Sequence, residues 1–134
     1  MVESLITLIC GVGRAGKSTY ATAFVNVIHL DLMGHIPERY ANVNRLVENM
    51  ENVTVEGVYN LKKYRSDLLK AYKWNNRKCI WLDTPVETVT ARMDKEHIPI
   101  STVHFYFEPP TLEEGWDEII IIRGDHEQRI NRPK

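Results

Sequence analysis

Residues 11–18 read G-V-G-R-A-G-K-S and match the phosphate-binding pattern G-x-x-x-x-G-K-[ST] in full. Glycines let backbone N–H groups turn toward phosphate oxygens, Lys17 neutralises the terminal phosphates, and the Ser18 hydroxyl is a ligand for magnesium. The pattern therefore predicts a site for a nucleoside triphosphate. The residues predicted to contact the nucleotide are Gly11, Gly13, Arg14, Ala15, Gly16, Lys17, Ser18 and Thr19.

The segments on either side of this loop have the patterns that a phosphate-binding loop requires. Residues 5–10 form a short apolar run that includes β-branched residues, which is typical of a buried parallel strand. Residues 18–27 predict a helix with Ala21, Phe24 and Val25 on one side. Strand, loop and helix thus follow in the expected order, which favours a phosphate site over a chance glycine-rich turn.

The composition indicates one globular domain. The chain has 134 residues, of which 43% are hydrophobic and 26% are charged, and this is enough for a single core. A formal net charge of -1 gives no general attraction for nucleic acid, so any polynucleotide would have to bind a local patch. Cys10 and Cys79 both lie in apolar runs, so we expect reduced core thiols in a cytoplasmic protein without a membrane span.

Alternating strand and helix patterns predict an α/β fold with about five parallel strands, helices on both faces of the sheet, and a short lid. Ligands are expected at the carboxyl ends of the strands. After the first strand, further strands are predicted over residues 27–31, 53–56, 78–82 and 118–122, and helices over residues 37–50, 61–74 and 85–94, with Asn60 as a possible helix cap. The terminal residues 126–134 read as a polar tail.

Asp31 is the first polar residue that ends one of the predicted strands. A carboxylate there can accept the proton of an attacking hydroxyl, or it can simply cap the following turn. Residues 31–34 also fit the D-x-x-G pattern of GTPase switches. However, the distance from Ser18 to Asp31 is too short for a full helix and a switch segment, and no N-K-x-D motif follows. A GTPase is therefore not expected.

Several segments together resemble the small P-loop kinases of the polynucleotide 5′-hydroxyl kinase type and related kinases of nucleosides, nucleotides or other small hydroxylated substrates. The segments that carry this resemblance are residues 11–19, Asp31, residues 55–60, residues 82–87 followed by Arg92, residues 98–110 and residues 113–119. They span about two thirds of the chain. The resemblance implies one P-loop kinase domain over residues 1–134, with a lid and a post-lid helix at about residues 92–110.

The resemblance implies transfer of the γ-phosphoryl group from ATP, with Mg²⁺, to a hydroxyl. The implied catalytic residues are Lys17, Asp31 as the general base, and Arg92 as the lid arginine. Ser18 would bind the metal ion. Asp83 would either assist it through water or cap the next helix, and Glu56 has the same two alternatives. Arg123 is expected beside the adenine.

The sequence departs from the polynucleotide kinase pattern at Gly34, where an arginine that holds a substrate phosphate is usual. Arg39 or Arg45 could replace it, and Arg65 could approach the acceptor, although exposed helix charges are a simpler explanation for all three. The five histidines have no metal-ligand spacing.

The leading expectation is therefore a polynucleotide 5′-hydroxyl kinase. The alternatives are a nucleoside, nucleotide or modified-base kinase, a P-loop ATPase, and a nucleotide-binding module without catalysis. The acceptor, the choice between ATP and GTP, and the oligomeric state stay open at this point.

Overall fold

The strands form one mixed sheet in the computed structural model, which describes residues 5–13, 15–24, 27–30, 52–70, 74–99 and 106–132. Within these ranges the strands are β1 (Leu5–Cys10), β2 (Val27–Leu30), β3 (Val53–Gly57), β4 (Asn76–Leu82), β5 (Glu118–Arg123) and β6 (His126–Asn131). Their order across the sheet is β2-β3-β1-β4-β5-β6. The first five strands pair in parallel, as the sequence predicts, and β6 is antiparallel to β5.

Three helices are present in the described ranges: α1 (Lys17–Ala21), α2 (Lys62–Lys70) and α3 (Val86–Lys95). A short 3₁₀ turn covers Leu112–Glu114. The helix predicted over residues 18–27 is shorter than expected, because Val27 already begins β2. The helix predicted over residues 37–50 lies outside the described residues. None of the described helices has the length and apolar character needed to cross a membrane.

The central strand β1 divides the core into two apolar clusters, one on each face of the sheet. Leu8 and its neighbours on one face pack in a cluster that includes Leu68 of α2, which we call the α2-face cluster. Ile9 points to the other face and packs with Ala21 of α1 and Ile120 of β5, which we call the α1-face cluster. Because side chains alternate along a strand, one apolar run supplies both clusters. Helices thus pack on both faces, as expected.

Strand β6 corrects the expectation of a polar tail. Residues 126–131 pair with β5 through a tight turn in which Gly124 has a φ of 58°. Five of the six residues are polar and exposed, and only Ile130 packs against the core. An edge strand that is exposed on both faces lacks the apolar alternation by which a strand is recognised in sequence.

The two cysteines are buried and reduced, as the sequence predicts. Their Sγ atoms are 3.7 Å apart on the α2 face of the sheet, close enough for a weak S–H hydrogen bond. Burial, and then the hydrogen bond with Cys10, raises the pKa of the Cys79 thiol well above its usual range. Both thiols are fully buried, so they are packing groups of the core rather than accessible nucleophiles.

Arg65 of α2 corrects the expectation of an exposed charge. Its side chain is fully buried, and its Nε donates to Glu114 at 2.7 Å. Its Nη1 and Nη2 atoms donate to the backbone carbonyls of Tyr59 and Glu108, each at 2.7 Å. The guanidinium also lies 5.6 Å from the ring centre of Phe107. Arg65 thus ties residues 107–114 to α2 and to Tyr59, two residues after β3, and is not available to an acceptor.

The start of α2 is capped from a distance. Asn60, the predicted cap, instead donates its side-chain amide to the carbonyl of Tyr106 at 3.1 Å. The carboxylate of Glu108 accepts the backbone N–H of Lys62 at 3.0 Å. A cap contributed by a residue 46 positions away leaves no local sequence signature.

We expect Arg65→Ala to lower the free energy of unfolding by at least about 3 kcal/mol, because it leaves the buried Glu114 carboxylate without its counter-charge. Urea denaturation measures this. Arg129→Ala is the matched control, since Arg129 forms an ion pair with Glu127 at the surface, and its urea midpoint should stay near that of the wild type. Equal midpoints for the two variants would contradict the structural role of Arg65.

Candidate functional site

A cleft of about 860 Å³ opens at the carboxyl edge of the sheet. Its walls come from the glycine-rich loop, residues 11–18, from α1 and α3, and from the residues that end β3, β4 and β5. Carboxyl ends of parallel strands meet at one edge of a sheet, and this is where α/β proteins usually bind ligands. The cleft therefore lies where the sequence predicts a site.

The glycine-rich loop leaves β1 through a position that only glycine fits. A Cβ atom on Gly11 would lie 2.8 Å from the carbonyl oxygen of Leu82, which belongs to the neighbouring strand β4. The N–H of Gly11 donates to the carbonyl of Val58 after β3 at 3.3 Å. Gly16, with a φ of 102°, then turns the chain into α1. The loop is thus placed between the ends of β3 and β4.

Lys17 lies at the floor of the cleft. Only 8% of the residue is exposed, and its Nζ donates to the carbonyl of Val12 at 2.8 Å, within the same loop. Thr84, the second residue after β4, donates its hydroxyl to the carbonyl of Ala15 at 2.7 Å and fastens the loop from the other side. A buried ammonium group is thus held among backbone atoms of the loop.

Arg92 of α3 lies beside the same loop. One of its guanidinium nitrogens is 3.6 Å from the point that a Cβ atom on Gly16 would occupy, and Arg92 lines the cleft. The structure therefore brings together Lys17 and Arg92, which the sequence places 75 positions apart. Two cations in one cleft are suited to a ligand with several negative charges.

Glu56 gives the cleft an acidic side chain. It is the next-to-last residue of β3, it is 4% exposed, and it lines the cleft on the side of Gly57 and Val58. The sequence left a choice between a metal-assisting residue and a cap. Its place in the cleft favours a role at the site, because a helix cap would lie at the start of α2 instead.

Asp83 and Arg123 are paired with each other. The Arg123 Nε donates to a carboxylate oxygen of Asp83, and its guanidinium lies 5.9 Å from the ring centre of Trp81. Neither side chain is among those that line the cleft, whereas Ile122 and Gly124 are. The structure thus places the predicted adenine contact and the second predicted metal ligand in an ion pair beside the cleft.

Several predicted site residues lie outside the part of the chain that the structure describes. These are Arg14 and Asp31, the arginines Arg39 and Arg45, and the side chain of Ser18. In the described ranges, no group of three or more His, Cys, Asp or Glu residues is arranged to hold a metal ion. Residues 106–110, part of the predicted lid region, form no regular secondary structure.

The sequence analysis missed Tyr20, which lines the cleft one helical turn after Lys17. The ring packs at a tilt against Phe24, with 5.8 Å between ring centres. Burial, and then the negative charge of Glu127, raises the pKa of the Tyr20 hydroxyl, and Arg129 partly offsets this. The spacing from Lys17 could have indicated this position, since residues three apart on a helix share a face.

Comparisons with known proteins show similarity of fold. No family model matches the chain, and no curated protein matches it. The solved structure of APE1195 is similar over 84% of this chain and 83% of its own, with 17% identity and a TM-score of 0.55. An unliganded sugar kinase from Janibacter sp. HTCC2649 is similar over 92% of this chain and 86% of its own, with 15% identity and a TM-score of 0.55.

We expect Gly11→Ala to destabilise the protein more than Gly124→Ala. The new methyl group at position 11 would press on a backbone carbonyl of β4, which the sheet holds in place. At position 124 the same change meets no atom within 4 Å, so its cost is only that of a left-handed backbone, about 1 kcal/mol. Urea midpoints measure the difference, and equal losses would refute the close contact.

Proposed function

We propose that the chain is an ATP-dependent kinase of the small P-loop class, which transfers the γ-phosphoryl group of ATP to a hydroxyl group. The main support for this proposal is the cleft in which the buried Lys17 and the helix residue Arg92 lie against one glycine-rich loop. The match of residues 11–18 to the phosphate-binding pattern supports this, as does the fold similarity to a sugar kinase.

The triphosphate would bind along the glycine-rich loop. Lys17, which now donates to the carbonyl of Val12, would instead donate to the β and γ phosphates. The Thr84 hydroxyl, by holding the carbonyl of Ala15, keeps the loop in one conformation before the nucleotide arrives. Phosphoryl transfer depends mainly on positioning and on electrostatic stabilisation, so a preformed loop reduces the reorganisation that the reaction requires.

Magnesium fits the donor set that we propose for it. Ser18 follows Lys17 in the motif, and Glu56 presents a carboxylate in the same cleft. Magnesium prefers oxygen ligands and keeps several waters, so one hydroxyl, one nearby carboxylate and the phosphate oxygens suffice. When bound, the ion neutralises charge on the phosphates. Glu56 suits this task better than Asp83, because Glu56 lines the cleft and Asp83 does not.

Arg92 would stabilise the negative charge on the phosphoryl group during transfer. Its guanidinium lies by Gly16 at the mouth of the loop, so a short side-chain movement would reach the γ phosphate. Asp31, directly after β2, would act as the general base. Asp31 directly follows β2 in the sequence, and β2 pairs with β3, the strand that carries Glu56.

The leading acceptor is the 5′-hydroxyl of a polynucleotide, because of the resemblance of the sequence to that class of kinase. A nucleoside, nucleotide or modified base is the close alternative. The fold similarity to a sugar kinase is a specific reason to include a small polyol among the candidates.

A transfer assay with γ-labelled ATP and magnesium tests the proposal. The acceptors are 5′-hydroxyl DNA and RNA oligonucleotides, free nucleosides and nucleotides, modified-base DNA, and simple sugars. We expect label on one class of acceptor, and a large loss of transfer in Asp31→Asn with ATP binding retained. Label on oligonucleotide ends would support the polynucleotide acceptor, and label only on a small molecule would replace it. Binding of ATP without transfer to any acceptor would contradict the kinase assignment.

We expect Arg92→Ala to lower kcat by about 100-fold or more and to change KM for ATP by less than about threefold, because the interaction strengthens in the transition state. Steady-state kinetics with the acceptor found above measure both constants. Lys95→Ala is the matched control, since Lys95 is an exposed cation in the last turn of the same helix and does not line the cleft. Equal kinetics for the two variants would remove Arg92 from the mechanism.

A further inference from the structure

One end of the cleft is apolar and aromatic, in contrast to the charged end at Lys17, Arg92 and Glu56. Tyr20 and Ile122 pack against the α1-face cluster with part of their surface, and both also line the cleft. Leu82, a member of that cluster, lines the cleft beside them. The solvent-facing residues at the edge of the α1-face cluster thus form one wall of the cleft.

The turn between β5 and β6 completes this end. Gly124 lines the cleft, and a Cβ atom placed on it would meet no atom within 4 Å. The backbone of the turn therefore has open space around it and can be approached closely by a ligand. Gly124 is two residues after Ile122, so a ligand that contacts Ile122 would also lie near this backbone.

Two charged residues of strand β6 act electrostatically on the Tyr20 hydroxyl. Glu127 is in register with Ile122, and Arg129 with Ile120, so both charged residues lie on the α1 face of the sheet. They are paired with each other at 3.0 Å, and both influence the Tyr20 hydroxyl electrostatically. The raised pKa keeps the Tyr20 hydroxyl protonated at neutral pH, and packing against the α1-face cluster holds one side of the ring.

We propose that Tyr20, Ile122 and the Gly124 turn hold the purine base of the donor nucleotide, with the base stacked on the Tyr20 ring. This inference rests on the proposed function, because it needs a triphosphate at Lys17. Tyr20 lies three residues after Lys17, about 4.5 Å further along the helix axis, so one ligand can reach both ends of the cleft. A planar base, a sugar and a charged triphosphate match an aromatic wall at one end and cations at the other.

The test compares two probes that share the phosphate chain but differ in the base. Isothermal titration calorimetry measures the affinity of the protein for ATP and for inorganic tripolyphosphate, each with magnesium. The variants are Tyr20→Leu, which removes the ring, and Tyr20→Phe, which keeps it. Phe24→Leu is the matched control, because Phe24 packs against the same cluster without lining the cleft.

We expect Tyr20→Leu to weaken ATP binding about tenfold and to leave tripolyphosphate binding unchanged. Tyr20→Phe and Phe24→Leu should bind ATP like the wild type. Equal losses for the two probes in Tyr20→Leu would mean a distorted loop and would overturn the stacking role. An equal loss of ATP binding in Tyr20→Phe and Tyr20→Leu would also overturn it, because the hydroxyl would then carry the effect.

A second measurement needs no variant. The fluorescence of 2-aminopurine riboside triphosphate should be quenched when it binds the wild-type protein, because stacking on an aromatic ring quenches this base. Binding without a change in fluorescence would overturn the base site while leaving the phosphate site intact. A wild-type protein that binds neither ATP nor tripolyphosphate would instead contradict the proposed function itself.

Discussion

The site depends on the position of β1 in the middle of the sheet. Strand β1 pairs in parallel with β3 on one side and β4 on the other, so the chain that leaves it emerges between two other strand ends. Gly11 makes this exit possible, because any side chain there would meet the carbonyl of Leu82. Three parts of the cleft follow from that exit: the glycine-rich loop itself, Glu56 from the neighbouring strand β3, and Arg92 from the helix that follows the neighbouring strand β4.

A different interaction stabilises the α2 face of the sheet. The buried ion pair of Arg65 and Glu114 joins α2 to the segment before β5, and Phe107 in that segment stacks on Trp81 of β4 at 5.1 Å between ring centres. Trp81 in turn lies under Arg123, which pairs with Asp83. The α2 face of the sheet is thus closed by aromatic and charged contacts, and the cleft opens on the α1 face. This division explains why Ile122 reaches the cleft and Arg123 does not.

Local patterns predicted the parts of the structure that local sequence determines. The strand before the loop, the loop itself and the parallel pairing of five strands follow from a motif and from strand–helix alternation. The approach of Arg92 to Lys17 was expected only from the resemblance to small P-loop kinases. Two kinds of feature could not be predicted: an exposed edge strand, and contacts between side chains that are far apart in the sequence. The exposed edge strand β6 has no apolar alternation.

Pairs of side chains that are distant in the sequence could not be predicted either. The burial of Arg65 depends on Glu114, 49 positions later, and the pairing of Asp83 with Arg123 spans 40 positions. From sequence alone, an aspartate or an arginine near a strand end is readily predicted to contact a ligand. Only the fold shows that Asp83 and Arg123 form an ion pair with each other. Tyr20 was missed because it is not among the residues assigned to the apolar side of the first helix, and no motif marks it.

The central claim is that the glycine-rich loop and Lys17 bind the phosphate chain of a nucleoside triphosphate. The most direct measurement is the ³¹P NMR spectrum of magnesium ATP during titration with the wild-type protein and with Lys17→Ala. We expect saturable shifts and broadening of the β and γ resonances with the wild type and far weaker effects with the variant. Resonances that stay unchanged with the wild-type protein, or that change equally with both proteins, would contradict the claim.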